Sequence, residues 1–158
     1  MTSRMIPALL CAALALPACE RVPEADRAAA LETVRRNLRM LQEKKIDEMM
    51  ETIHPRSPAF AGTRTEITNL VKDYDLNCEL SALEVIGAHH GDVRVRFEQT
   101  TERVKAGNAE PKTRLVGIHV LKKDGAAWKI FDTEIISAEV VDPLPFEPEA
   151  SEVEVVAP

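Results

Sequence analysis

The chain lacks the excess of basic residues that nucleic-acid-binding domains usually carry. Its 158 residues include 20 lysines and arginines against 26 aspartates and glutamates, for a net charge of −6, and the two signs are interspersed. The sequence therefore gives no electrostatic footprint for nucleic acid, and we expect no such partner. Aromatic residues are also scarce, at 4%, so the single Trp128 and the single Tyr74 are expected to be conspicuous parts of a small core.

The N-terminus lacks a hydrophobic run long enough to cross a bilayer. The run from Ile6 to Leu16 is about half the length that a membrane-spanning helix needs, and it follows one positive charge at Arg4. We interpret residues 1–18 as an export signal. The stretch Leu16-Pro-Ala-Cys19 resembles the lipobox of bacterial lipoproteins, which implies cleavage before Cys19 and a lipid on its thiol. Ordinary cleavage after Ala18, giving a soluble secreted protein, is the alternative.

The sequence has too few cysteines for a framework of disulfide bonds. Cys11 lies in the export signal and Cys19 would be acylated, which leaves Cys78 alone. The mature chain can then form neither an intramolecular disulfide nor a cysteine zinc site, and Cys78 is expected to be a small buried hydrophobe. The adjacent His89 and His90 are expected in an exposed turn, where neighbouring side chains point in different directions. We predict no metal and no cofactor.

The mature chain is long enough for one compact domain, and its first half predicts three helices. We expect a short tether at residues 19–23 and the domain at residues 24–141. Apolar residues at three- and four-residue steps predict a first helix from Ala25 to about Lys44. The second helix is expected to begin at a cap formed by Asp47 and to bury Met49, Met50 and Ile53. Thr63-Arg-Thr-Glu66 has capping-box spacing and predicts the start of the third.

The second half predicts four antiparallel strands. The apolar residues change parity near Ser81-Ala82, which a β-bulge would produce, and a bulge bends the sheet. The last hairpin runs from Arg114 to Ile136 around a turn at Asp124-Gly125. If Lys122 pairs with Ala127, one face carries Gly117, His119, Leu121, Trp128, Ile130 and Asp132. The opposite face then carries Val116, Ile118, Val120, Phe131 and Ile135. Both faces are largely apolar, so both are expected to be covered.

This order of elements resembles the nuclear transport factor 2-like superfamily, including its bacterial SnoaL-like members. The match covers roughly residues 24–141 and three local motifs: Lys45-Ile-Asp47, Gly62-Thr63 and the stretch from Asp124 to Ile130. The resemblance implies an α+β fold, in which three N-terminal helices pack in the concave side of a strongly curved antiparallel sheet. It also implies a cone with a pocket open at one end, and a homodimer through the outer sheet face defined above.

The pocket predicted from this register is lined by Tyr74, His119, Leu121, Trp128, Ile130 and Asp132. His119 and Asp132 fall at diagonal positions, where an imidazole and a carboxylate can form an acid–base pair suited to a small-molecule isomerase or lyase. The alternative is that the two satisfy each other in a partly polar core, or that the register is shifted and both are exposed. The sequence favours this alternative, because no nucleophile or metal-ligand set lies nearby.

The C-terminal residues 142–158 carry four prolines and four glutamates, a composition typical of disorder, although the alternation from Ser151 to Val156 leaves pairing as an edge strand open.

The sequence favours a lipid-anchored protein of the bacterial cell envelope. Its domain would bind a small apolar ligand or another envelope protein without catalysis, and the enzyme is the alternative. Glu20, rather than an aspartate, follows Cys19, which favours the periplasmic side of the outer membrane.

Overall fold

A computed structural model describes residues 21–141, and it confirms the predicted α+β architecture. The helices are α1 (Glu24–Gln42), α2 (Ile46–Glu51) and α3 (Phe60–Asp73). The strands are β1 (Asp75–His89), β2 (Asp92–Lys105), β3 (Asn108–Ala109), β4 (Thr113–Asp124) and β5 (Ala127–Val140). No helix in this part of the chain is long and apolar enough to cross a membrane. The predicted signal peptide, Cys19 and the acidic tail lie outside the described residues.

The helices follow the predicted apolar pattern, but two of their starts differ. Helix α1 buries Ala30, Val34, Leu38 and Met40. Helix α2 is capped at Lys45 and not at Asp47, whose carboxylate instead accepts a 2.7 Å hydrogen bond from Arg64. Helix α3 begins at Phe60, before the capping-box sequence at Thr63. The reason is Ser57, whose carbonyl accepts a hydrogen bond from the Phe60 N–H and whose hydroxyl accepts one from the Ala59 N–H.

The sheet is antiparallel throughout, in the order β1-β2-β4-β5, and β3 adds a short pairing to the end of β2. The predicted bulge near Ser81-Ala82 is confirmed, because Leu80 and Ala82 pair with consecutive residues of β2 and Ser81 is left over. Ile86 is a second bulge in β1, and Phe131 and Ile136 are bulges in β5. Four bulges in the two outer strands bend the sheet and close it around the helices.

The predicted register of the last hairpin is wrong. Lys122 pairs with Lys129 and not with Ala127, because the turn residues are Gly125 and Ala126 instead of Asp124 and Gly125. Gly125 has a φ of 63°, a conformation that glycine adopts without a steric penalty. The bulge at Phe131 then shifts the register once more. As a result, Asp132 pairs with Val120, and His119 pairs with Thr133.

The concave face of the sheet holds the main core. Val93, Val95, Leu121 and Ile130 are almost completely buried there, in one cluster with Val34 of α1 and with Trp128. Trp128 is fixed at both of its polar ends, since its indole N–H donates to Asp26 at 3.0 Å and its carbonyl accepts from the Thr33 hydroxyl at 3.0 Å. A second cluster, Met40, Met49, Met50 and Ile53, packs between α1 and α2, as predicted for its last three members.

The outer face of the hairpin differs from the predicted one. Val116, Ile118 and Val120 form a half-buried row along β4, but their partners on β5 are Ser137, Glu134 and Asp132. Phe131 stands in the bulge, with its ring 5.5 Å from the ring of His54 and 4.0 Å from the Lys122 ammonium. Ile135 pairs with Gly117 and therefore lies on the helix side of the sheet. The outer row is thus flanked by charges, and the Arg94–Glu134 ion pair at 3.6 Å reaches across it.

Candidate functional site

A cavity of about 210 Å³ lies between the helices and the last hairpin. Asn37 and Leu41 of α1 form one wall, Met49 and Ile53 a second, and Thr63 and Ile67 of α3 a third. The sheet supplies His119 from β4 and the run from Ile130 to Thr133 in β5. The lining is mainly apolar, and the backbone of Thr52–His54 bonds to the edge of β5 at Ile130, which fixes the loop and strand relative to each other.

His119 is held in the cavity wall by an aromatic neighbour. Its ring stacks on Phe97, with centroids 4.3 Å apart and planes 16° from parallel. The Phe97 ring can lie there because residue 117 is glycine. A Cβ on Gly117 would be only 2.7 Å from the Phe97 ring and 2.7 Å from the Glu134 carbonyl oxygen. Gly117 therefore admits the ring that orients His119.

His119 is neutral at physiological pH. Burial lowers the pKa of its imidazole from 6.5 to about 4, because a charged ring would lose its hydration there. Its Nδ1 lies 2.8 Å from the Thr133 hydroxyl, which can donate or accept, so either nitrogen can carry the single proton. The site thus offers a ligand one neutral imidazole edge, as a donor or as an acceptor.

The structure does not join His119 to Asp132. Asp132 is exposed at the rim of the cavity, where one carboxylate oxygen accepts a 2.8 Å hydrogen bond from the Thr133 backbone N–H. The hydrogen-bond partner of the imidazole is instead the Thr133 side chain. The predicted acid–base pair rested on the shifted register, in which Asp132 shared a face with His119. The bulge at Phe131 separates them.

Three of the other predicted lining residues lie elsewhere. Leu121 is fully buried in the core, and Trp128 lines cavities beside α1 instead of the one beside His119. Tyr74 is at the far end of the domain, where the side chains of Arg103 and Lys105 lie 5.4 Å from its ring. Ile130 does line the cavity. The sequence reasoning missed the helix-borne lining residues, although the helical spacing of Asn37 and Leu41 put them on the buried face of α1.

His54 is a buried residue that the sequence reasoning used only as a helix end. It is 1% exposed, its Nδ1 accepts a 3.1 Å hydrogen bond from the Arg56 N–H, and its Nε2 has no partner within residues 21–141. Because Nδ1 accepts, the proton of the neutral ring is on Nε2. The His54 ring packs at 74° to the ring of Phe131, which lines the cavity. The sequence signal was a histidine between the apolar Ile53 and the helix-ending Pro55.

The remaining candidate ligands are dispersed. Between residues 21 and 141 no group of three or more histidines, cysteines or carboxylates could hold a metal ion. Cys78 is half-buried on β1, where burial raises the pKa of its thiol, and the Thr101 hydroxyl lies 3.7 Å from its sulfur. Raising the pKa makes a thiol less reactive at neutral pH. His89 and His90 are exposed at the β1–β2 turn, as predicted, but their side chains do not point apart, since their ring centroids are 4.0 Å from each other.

Solved structures with the same fold are numerous, and all those compared have low sequence identity. A proposed aromatic ring hydroxylase from Novosphingobium aromaticivorans superposes with a TM-score of 0.62 at 14% identity, over 78% of this chain and 94% of that one. The beta subunit of benzoate 1,2-dioxygenase from Burkholderia mallei gives a TM-score of 0.56 at 15% identity, over 73% and 91%. A ketosteroid isomerase-like protein from Erwinia carotovora atroseptica gives 0.56 at 13%, over 72% and 98%.

These likenesses establish the nuclear transport factor 2-like fold, of the SnoaL-like and ketosteroid isomerase-like kind, and at such identities they establish the fold alone. No curated protein matches the sequence. A family model does match, over residues 32–141, from α1 to the end of the sheet. Since that match spans well over half of the chain, the protein belongs to the family of the anti-sigma-I factor RsgI9 C-terminal domain.

Proposed function

We propose that this protein is a lipid-anchored cell-envelope protein whose cone domain binds a small, mainly apolar molecule without transforming it. The observation that carries the proposal is the cavity beside His119. Its volume of about 210 Å³ suits a compound of roughly one ring, since a cavity of about 150 Å³ already holds benzene. One neutral imidazole in an apolar lining would orient a ligand through one hydrogen bond, which is typical of a binding site.

The family and the cavity both agree with a binding role. The family is named for the C-terminal domain of an anti-sigma factor. Within the cavity, the carboxylate that could have made His119 part of an acid–base pair is engaged by the Thr133 backbone N–H at the rim. Within residues 21–141, the hydrogen-bond partner of the neutral imidazole is the Thr133 hydroxyl. The imidazole and this hydroxyl together can select a ligand that carries a hydrogen-bonding group.

The test compares two ligands of nearly the same shape, para-cresol and toluene. The phenolic hydroxyl of para-cresol can bond to His119, and toluene cannot. One hydrogen bond is worth about 0.5–1.5 kcal/mol, so para-cresol should bind about twofold to tenfold more tightly. His119→Leu should remove this preference and leave toluene binding in place. Calorimetry or NMR titration gives the affinities, and equal affinities of the wild-type protein for both compounds would refute the role of His119.

A cavity-blocking variant tests the location of the site. Ala59 lies at the exposed rim of the cavity, and Ala59→Trp should abolish binding of both compounds because the indole covers the opening. Ala126→Trp, at the exposed tip of the β4–β5 hairpin, is the matched control and should bind as the wild type does. If Ala59→Trp binds normally while remaining folded, the ligand site is elsewhere. Native mass spectrometry of the wild-type protein would also detect a ligand retained from the cell.

The anchor is the second part of the proposal, and it rests on the lipobox-like sequence ending at Cys19. Because its thiol is the acceptor of the lipid, Cys19→Ala should abolish lipid labelling and release the protein from the membrane fraction or leave an uncleaved precursor. Cys78→Ala is the matched control, and it should be labelled and fractionate normally. Continued labelling and membrane association of Cys19→Ala would overturn the anchor.

Homodimerisation is the third part. The row Val116, Ile118 and Val120 is flanked on β2 by Arg94 and Arg96 and on β5 by Asp132 and Glu134. A two-fold axis parallel to β4 would place the arginines of one copy over the carboxylates of the other. Ile118→Glu should then yield monomers, whereas Ile135→Glu, on the helix side, should not. Light scattering reads the mass, and a wild-type monomer at micromolar concentration would contradict the dimer.

A further inference from the structure

The described residues begin at Arg21, two positions after the proposed lipid attachment site, and the first core residue, Val22, follows. Val22 is 8% exposed and belongs to the main core cluster together with Trp128 and Val93. The carbonyl of the next residue, Pro23, accepts a 2.9 Å hydrogen bond from the Arg27 N–H and starts α1. Val22 is therefore a fixed point of the domain, although it falls within residues 19–23, which the sequence predicts as a tether.

This fixed point lies at one end of the sheet. Val22 lines a cavity of about 360 Å³ together with Gly91 of the β1–β2 turn and Lys123 beside the β4–β5 turn. The Lys122–Asp92 ion pair, at 3.3 Å, ties the two hairpins together there. We call the surface formed by Arg21, the turn at His90-Gly91 and the turn at Gly125-Ala126 the tip face. The 12 residues of β4 place the opposite end roughly 35–40 Å away.

The distance from Cys19 to Val22 is short. Three residues span at most about 10 Å when fully extended, which is only slightly more than the roughly 5–8 Å thickness of one headgroup layer. We propose that the tip face docks on the lipid surface that carries the anchor, so that the domain stands on the membrane with its hairpin turns toward the headgroups. This inference rests on the proposed lipid on Cys19.

The charges of the tip face fit a lipid surface. Its carboxylates are paired within the domain, Asp26 with Lys123 at 3.0 Å, Asp92 with Lys122 and Asp124 with Lys129 at 2.7 Å. Arg21 is exposed and forms no ion pair within residues 21–141, so its guanidinium is available to a lipid phosphate. Gly91, Gly125 and Ala126 are exposed, small residues that allow close approach. The three aspartates beside the tip face are therefore neutralised within the domain, whereas Glu24, near Arg21, is exposed and lies 3.9 Å from the Arg27 guanidinium.

The single tryptophan makes the orientation measurable. Trp128 lies beside the tip face, and Tyr74 lies at the far end of the sheet next to Arg103. The lipoprotein is placed in phosphatidylcholine vesicles that contain a lipid with a nitroxide on its headgroup, which quenches tryptophan only over a short range. Trp128 fluorescence should be quenched several-fold more strongly than that of the variant Trp128→Phe with Tyr74→Trp. Equal quenching, or stronger quenching of the tryptophan at position 74, would overturn the proposal.

A second variant leaves the domain unchanged. Inserting a flexible Gly/Ser segment of about twelve residues between Glu20 and Arg21 lengthens the tether without touching the core. Quenching of Trp128 should fall by at least half if the short connection holds the tip face at the membrane. Unchanged quenching would mean that the tether length does not set the orientation, which would contradict the inference even if the tryptophan at position 74 proved destabilising.

Separate measurements test the lipid anchor and the docked orientation. The mass of the N-terminal peptide from the purified lipoprotein reports whether Cys19 carries lipid. If it does not, the proposed anchor fails, and the orientation is still tested by coupling Cys19 to a maleimide-headgroup lipid in a Cys78→Ser background. If Cys19 carries lipid but Trp128 is not preferentially quenched, the anchor stands and the docked orientation is wrong.

Discussion

The neutral state of His119 predicts a specific dependence of stability on pH. In the unfolded chain the imidazole has a pKa of about 6.5, and in the folded protein burial lowers it to about 4. Between these values the unfolded state binds a proton that the folded state does not. The free energy of unfolding should therefore be highest above about pH 6.5 and fall as the pH decreases toward about 4. Below that, His119 adds no further change.

The size of this effect follows from the difference between the two pKa values. A difference of roughly 2.5 corresponds to about 3 kcal/mol at 1.36 kcal/mol for each pH unit, and this is an upper limit because the ring is only half-buried. That is a large part of the roughly 5–15 kcal/mol that holds a small domain together. Urea unfolding, followed by Trp128 fluorescence at several pH values between about 7 and 4, measures it.

His119→Asn should lose this slope, although the loss of stacking on Phe97 lowers its stability at every pH. Thr133→Val is the matched control, since it removes the hydrogen-bond partner and keeps the imidazole, so the slope should remain. Thr133→Asp should raise the pKa of the His119 imidazole, because a carboxylate opposite the ring favours its charged form. NMR titration detects this change. A wild-type stability that is flat over this range, or an equal slope in His119→Asn, would refute the reasoning.

Two further predictions concern the core. Gly117→Ala should lower stability by about 1–3 kcal/mol in thermal unfolding, because its Cβ would lie 2.7 Å from the Glu134 backbone oxygen, whereas Gly62→Ala, with no atom within 4 Å, should not destabilise. An equally stable Gly117→Ala would contradict the close packing. Trp128→Phe should raise the pKa of the Asp26 carboxyl, because the indole N–H is the main cause of its lowering. NMR titration of Asp26 measures the change, and an unmoved pKa would exclude that cause.

Local patterns predicted the helices and strands well because each reports a buried face. The three-residue and four-residue steps through Val34 and Leu38 can bury only one side of a helix, and α1 buries that side. The change of parity around Ser81 likewise had one simple explanation, a bulge, and the structure has it there. The start of α3 was missed because a proline-containing turn at Ser57 begins the helix, while the capping-box residues around Thr63 lie inside it.

The candidate site was harder to predict because it depends on the pairing of two strands, which sequence alternation leaves ambiguous. In the last hairpin both faces are apolar. A shift in register therefore exchanges one apolar face for the other, and the sequence pattern does not reveal it. The sequence Asp124-Gly125 suggested a turn one residue too early. The bulge at Phe131 gave no parity signal, because Ile130 and Phe131 are both large and apolar. The cavity-lining residues on the helices, such as Asn37, could be identified only from the packing of the helices against the sheet.

The bulge at Phe131 also decides the chemistry of the cavity. With the register set by Leu121 and Ile130, an uninterrupted β5 would place Asp132 directly opposite His119. A carboxylate there would favour the charged imidazole and create the acid–base pair that the sequence suggested. The inserted residue instead brings Thr133 opposite His119 and turns Asp132 toward Val120 on the outer face. A hydroxyl in place of a carboxylate adds no charge that would favour the protonated imidazole, so burial keeps the ring neutral. One residue in an edge strand therefore separates a site suited to binding from one suited to proton transfer.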